Sequence, residues 1–317
     1  MEMKRREFLV RSLAGAGGLL LGSPIVFAQQ VRPKAFDPFE IVPLGNTKIK
    51  VTRVGLGTGM RGGNRQSNHT RMGKDKFEAL TKTCWEQGVR LFDAADLYGT
   101  HPFLADVLKK MPRKDYAIST KIWWRKGGIP EAERPDADVV VERFLKELNT
   151  DYLDLVLLHC VDRANWPEEL SKQMEILDKL KRKGTIRAHG VSCHSLEALA
   201  ACVNEPWVDS VHTRINPYAV AMDVKQIADV PKVVDVLQAL HKQGKAVIGM
   251  KILGEGRFRN SDEQRDRSIR FALELGCIDA MVVGFENIPE ISDFAQRVRK
   301  VPVPGQAEKP LARANVA

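Results

Sequence analysis

Beyond residue 38 the chain alternates short apolar runs with stretches in which apolar residues recur every three or four positions. That is the pattern of parallel strands joined by amphipathic helices. A hairpin is predicted first, from Phe39–Leu44, a turn at Gly45-Asn46, and Lys48–Thr52. Eight strands follow at Val54–Gly57, Arg90–Asp93, Tyr116–Lys121, Leu153–His159, Ile186–Ser192, Ser210–Thr213, Ala246–Lys251 and Ala280–Val283. Between and after them, helical spacing covers Lys74–Gln87, a segment opening after Thr100, Ala137–Leu148, Glu168–Lys183, Ser195–Val203, Val230–Gln243, Asp262–Leu275 and Pro289–Val298. Gly88, Gly184, Gly244 and Gly276 stand where four of these helices should stop. Eight such units over about 250 residues match the size of an α/β fold of the (β/α)8 (TIM) barrel type. A doubly wound open sheet is the alternative. It is weakened because Gly55-Leu56-Gly57-Thr58-Gly59 does not form the glycine-rich turn that opens such sheets.

The first 28 residues read as a leader. Lys4-Arg5-Arg6 precedes Phe8-Leu9, a short apolar stretch broken by glycines and Pro24 follows, and small Ala28 ends it. A charged start, modest apolar region and small-residue end make a cleavable signal peptide, and the stretch is short for a membrane span. The paired arginines resemble a twin-arginine (Tat) export signal, which implies the Tat machinery as partner, a periplasmic location and no stable membrane anchor after cleavage. Residues 29–38 read as a linker and 301–317 as a tail, leaving 39–300 for the barrel.

Composition narrows the classes further. The chain has 317 residues, 44% hydrophobic and 28% charged, enough apolar content for a large buried core. The formal net charge of +9 is spread through mixed sequence, with no basic run after residue 11, which argues against a nucleic-acid partner. Five cysteines in this length are no disulfide scaffold.

In a closed parallel barrel the active site lies at the C-terminal mouth, so polar residues where apolar strands stop carry the chemistry. Asp93, Lys121 and His159 end three consecutive strands, and Tyr98 lies in the loop above the first. A phenol is a weak acid near neutral pH. An adjacent ammonium should lower its pKa, a carboxylate can hold that ammonium, and a neutral imidazole can orient a carbonyl oxygen. Together they can polarise a carbonyl and deliver a proton while hydride arrives at carbon.

The segment Gly88-Val89-Arg90-Leu91-Phe92-Asp93-Ala94-Ala95-Asp96-Leu97-Tyr98-Gly99, with Ser119-Thr120-Lys121 and Leu157-Leu158-His159 after it, resembles the aldo-keto reductase family. The resemblance covers about residues 38–300 and implies a catalytic tetrad of Asp93, Tyr98, Lys121 and His159. It further implies a hairpin closing the barrel floor and NAD(P)H-dependent interconversion of carbonyl and alcohol. It places the nicotinamide near Ser192, Cys193, His212, Met250, Lys251 and Gly284, although Cys193, His212 and Met250 depart from the usual residues. Gly284-Phe285-Glu286-Asn287-Ile288-Pro289-Glu290 offers acids but no base for the extra phosphate of NADP(H). The expected cofactor is therefore NAD(H), or NADP(H) held by Lys251, Arg257 or Arg259; export adds the possibility of a dinucleotide retained inside the folded protein. Trp123 and Trp124 are expected to line the substrate pocket, Trp123 preferentially, with Arg214, Asn216 and Tyr218 as further candidates. Cys160 and the pair Cys193-His194 allow a disulfide or metal, but the spacing fits no metal site, and strand alternation turns Cys160 away from His159. The substrate expected is a small carbonyl or alcohol; the rival reading is a nonenzymatic binding or sensing barrel.

Overall fold

The computed structural model describes residues 34–305. The leader 1–28 and the last part of the tail lie outside the described residues. A short antiparallel ribbon comes first, β1 (Ile41–Pro43) against β2 (Lys50–Thr52), with Val42 opposite Val51. Eight parallel strands then close into a barrel: β3 (Val54–Gly57), β4 (Leu91–Asp93), β5 (Ala117–Ile122), β6 (Leu153–Val161), β7 (Ile186–Cys193), β8 (Ser210–Arg214), β9 (Ala246–Met250) and β10 (Ala280–Val283), with β10 beside β3. Sequential order around the ring is what right-handed βαβ crossovers of the predicted length produce.

Two apolar layers hold it. Inside the barrel, Leu91, Ala117, Leu155, Leu157, Ala188, Ala246, Ile248, Ala280 and Val282 pack on Val42, Leu44, Ile49 and Val51, so the ribbon plugs the floor. Outside, the other face of each strand packs against the helices, including Lys74–Gln87, Ala137–Leu148, Val230–Lys242 and Ile288–Val298. The plug's turn fits tightly on the barrel wall. Gly45 has φ +47, and a Cβ there would come within 2.4 Å of the Gly244 carbonyl oxygen. Only glycine combines that dihedral with that approach. At the same end, Phe36 N donates to Val301 O at 3.0 Å and Val303 N to Lys34 O at 2.8 Å, so the two ends of the described chain lie side by side.

Four boundaries differ from the sequence expectation in informative ways. Strand β5 begins one residue late and includes Ile122. The predicted helix Glu168–Lys183 is two, Trp166–Glu169 and Ser171–Arg182, meeting at Leu170, which is buried and non-helical. Strand β7 runs on to Cys193. Strand β6 continues to Val161 through an irregularity, its register shifting between Leu158 and Val161 and Cys160 adopting φ +61. Among the described residues no helix is long and apolar enough to cross a membrane.

Candidate active site

The mouth of the barrel opens into a cavity of about 370 Å³. It continues into a second space of about 410 Å³ lined by Met60, Arg61, Asn68, Glu255, Gly256, Arg257, Arg259 and Glu286. Asp93, Tyr98, His159 and Trp123 line the first.

Beneath them lies a buried ion pair. The register sets Asp93 opposite Ser119 and Lys121 opposite Leu157, so Asp93 and Lys121 both point inward at the top of the ring. Lys121 Nζ donates to Asp93 Oδ1 at 2.6 Å and to the Ala94 carbonyl at 2.8 Å, and its side chain is 1% exposed. Burial pushes the Asp93 carboxyl up and the Lys121 ammonium down, each relieved by its partner's charge.

Tyr98 sits above this pair. Its short helical turn, Asp96–Tyr98, is fixed by the buried carboxylate of Asp96. That carboxylate accepts from Arg143 Nη1 and Nη2 at 2.9 and 2.7 Å and from Arg65 Nε at 3.3 Å. The ring lies against backbone: a Cβ on Gly59 would be 2.3 Å from Tyr98 Cε2 and Cζ. Glycine at this position leaves room for the phenol.

The hydroxyl of Tyr98 is 3.4 Å from His159 Nε2, with the two rings edge to face. Burial, with the Lys121 charge adding to it, holds His159 neutral well below the usual histidine range. The expected lowering of the Tyr98 pKa by Lys121 is not met. Burial, reinforced by the Asp93 charge, pushes the hydroxyl well above its ordinary value. The geometry explains this: Lys121 Nζ is committed to Asp93 and Ala94 and lies 5.2 Å from the centre of the phenol ring. The free protein thus presents a protonated phenol beside a neutral imidazole.

The remaining sequence candidates divide. Met250, Lys251 and Gly284 line the cavity, Lys251 bound to Glu255 at 2.5 Å. Ser192 is buried, its hydroxyl accepting from Cys160 N at 3.1 Å. Cys193 does not face the mouth. It is packed in the outer core with its sulfur 3.7 Å from Cys202 Sγ, because the continuing strand alternation turns it outward. His212 lies in the barrel's polar layer rather than on the cavity surface, fully buried, with Nδ1 3.6 Å from Asp93 Oδ1. Trp124 turns away too: it packs on the outer core and donates from Nε1 to the His159 carbonyl at 2.8 Å. Trp123 keeps its expected place, edge to face with His159 at 5.5 Å between centroids.

Cys160 reverses the alternation argument. The irregular backbone at that residue brings its side chain to the same cavity as His159, where Sγ lies 3.3 Å from His194 Nε2. All five cysteines are free, so neither Cys160 nor Cys193 forms a disulfide. The acids after β10 are not bare either. Arg259 reaches both Glu286 and Glu290, and Asn68 also donates to Glu286. The sequence reading missed Asp96 as the residue that fixes the tyrosine loop, and His194 as a cavity wall. The signal for Asp96 was a carboxylate between apolar neighbours in Ala95-Asp96-Leu97, with Arg143 projecting from the inner turns of an amphipathic helix.

Comparison with known proteins agrees with this picture. The family model described as "Aldo/keto reductase family" matches residues 53–302. L-galactose dehydrogenase of Arabidopsis thaliana is 30% identical over 159 residues, 48% of this chain and 48% of that protein. NADH-specific methylglyoxal reductase of Escherichia coli is 29% identical over 174 residues, covering 48% of this chain and 51% of the relative. The match thus spans about half the length of these curated relatives. An aldo/keto reductase of Klebsiella pneumoniae, solved with NADP and acetate, shares the fold with a TM-score of 0.61 at 18% identity, over 84% of this chain and 92% of that one.

Proposed function

The chain belongs to the aldo/keto reductase family, and from that premise we propose that it is an exported, NAD(P)-dependent oxidoreductase that interconverts a small carbonyl compound and its alcohol. One observation carries the reading: a protonated Tyr98 hydroxyl stands 3.4 Å from the neutral imidazole of His159, over the buried Asp93–Lys121 pair, at the wall of one cavity.

The cleft suits a nicotinamide dinucleotide on the chemistry of its lining. The main cavity has a polarizable thioether at Met250 and a side-chain-free wall at Gly284, and the second space holds Arg61 and Arg257, with Arg259 and Asn68 bound to Glu286, as candidates for phosphate oxygens. Such a cofactor, when bound, supplies or accepts the hydride. Each residue then has a task. His159, in the tautomer protonated at Nε2, donates to the substrate oxygen and orients it. Tyr98 gives its hydroxyl proton to that oxygen during reduction and recovers it in the reverse direction. Asp93 holds the Lys121 ammonium in place, and the pair forms the buried base on which the Tyr98 ring rests, 5.2 Å from Lys121 Nζ.

The leader Met1–Ala28 directs the folded protein to the periplasm through the twin-arginine pathway, a reading supported by Arg5-Arg6 and the short apolar stretch behind them. Mass measurement of protein from a periplasmic extract should give a chain starting near Gln29. A full-length chain confined to the cytoplasm would overturn it. For the activity, Tyr98→Phe should lower turnover of an aldehyde panel by about 10²–10⁴-fold while circular dichroism stays unchanged. Wild-type protein that turns over no carbonyl with NADPH or NADH would favour a binding role instead.

A further inference from the structure

The cavity is not electrically even. Among the lining residues Lys251 is matched with Glu255, Arg259 with Glu290 and Arg265 with Asp293, Asp93 is matched from below by Lys121, and Arg61, at the side that opens into the second space, has no ion pair among the described residues. Arg214 is arranged differently. It ends β8 and faces the same cavity as Trp123, His159 and His194. Its counter-ion Asp223 does not line the cavity; the carboxylate is 1% exposed, with Oδ1 2.6 Å from Arg214 Nη2. That ion pair uses Nη2 alone, and Arg214 Nε is buried without a hydrogen-bond partner. A cation therefore faces the cavity with its acid behind it.

Building on the carbonyl-reductase reading, we infer that Arg214 selects a substrate that carries a carboxylate as well as a carbonyl, an oxo acid or an aldehyde acid. The planar guanidinium matches a carboxylate in charge and shape. The rings of Trp123, His159 and His194 confine the body of the substrate between Arg214 and Tyr98. Burial first, and then the charges of Arg214, Lys251, Arg125 and Lys121, push the His194 pKa down to about 3, so His194 is a neutral wall in a positive field. This goes beyond the reductase reading, which needs only Tyr98, His159 and the pair beneath them.

The test uses a matched pair, 4-carboxybenzaldehyde and its neutral ester methyl 4-formylbenzoate, with the purified protein and either nicotinamide. The acid should show a KM about tenfold below the ester's. Arg214→Met should bring the acid-to-ester ratio to about one, and Arg214→Lys, which keeps a point charge, should hold part of the preference. The double variant Arg214→Met with Asp223→Asn guards against misfolding around an orphaned acid and should behave as Arg214→Met. Calorimetry with the corresponding benzyl alcohols reads binding without turnover. Tighter binding of the acid, lost in the double variant, sustains the inference even where neither aldehyde reacts and the reductase reading falls. Equal affinities for acid and ester, or a loss in Arg214→Met confined to dinucleotide binding, would overturn it.

Discussion

Gly59→Ala is the sharpest probe of how the phenol is held. Gly59 is not among the residues with positive φ, so alanine brings no backbone penalty there. Its methyl, however, would stand 2.3 Å from Tyr98 Cε2 and Cζ, where ordinary contact is 3.4–4 Å. The ring must retreat by about 1 Å or the loop must yield. The hydroxyl is already 3.4 Å from His159 Nε2, at the outer limit of a hydrogen bond, so a retreat of that size breaks it. A displacement of about 1 Å at a reacting group costs roughly 10²-fold in rate, or about 2.7 kcal/mol of barrier. Overpacking adds about 1–3 kcal/mol of lost stability. Steady-state reduction of the best aldehyde in a panel, followed at the nicotinamide absorbance band beside a denaturant titration, separates the two effects. Gly63→Ala is the control, since a Cβ there meets nothing within 4 Å. Wild-type kcat and KM in Gly59→Ala would refute the claim that Tyr98 acts from this position.

Three further outcomes can be measured. Asp93→Asn leaves the Lys121 ammonium buried without its counter-charge and should cost about 3–5 kcal/mol in urea unfolding; a loss below about 1 kcal/mol would mean the pair is not the buried anchor described. Because burial depresses the folded pKa of His194 to about 3 from its ordinary 6.5, the unfolded chain takes up a proton that the folded chain refuses. Stability should be flat above about pH 6.5 and fall as the pH drops toward 3, so that by pH 4.5 His194→Gln has lost about 2.5 kcal/mol less than the wild type; identical pH profiles would contradict the assignment. Arg259→Gln should weaken NADPH binding by about tenfold and NADH binding less, read by cofactor fluorescence, if that guanidinium meets the additional phosphate; equal losses would place the phosphate elsewhere.

Where the sequence was legible, period and punctuation made it so. Strand and helix spacing located all eight units of the barrel, because each strand pairs with its neighbours in sequence order and each helix shows one apolar face. Asp93, Lys121 and His159 were readable as strand ends, and the ribbon's Val42, Leu44, Ile49 and Val51 as an apolar set ahead of the barrel. Alternation failed at Cys160, where a bulge interrupts the count of two and redirects the side chain. It failed differently at Cys193, where resemblance put a residue at the mouth that the pleat sends outward. The acids Glu286 and Glu290 read as repulsive because their partner Arg259 is 27 and 31 positions away in the chain and joins them only in the folded state. The Tyr98 pKa was misjudged for a similar reason. A sequence gives the nearest charge but not the cost of removing water, and here burial decides the sign.

At the seam on the barrel's base, where Lys34 pairs with Val303 and Phe36 with Val301, the two ends of the described residues meet. A short bridging peptide across that seam, with a new break introduced between two outer helices, would give a permuted chain that keeps every strand neighbour it has now. The cavity with Tyr98 and His159 lies at the opposite rim. A fluorescent carrier, a surface tether or a second enzyme could therefore be spliced in at the seam, leaving the chemistry to proceed undisturbed at the far end.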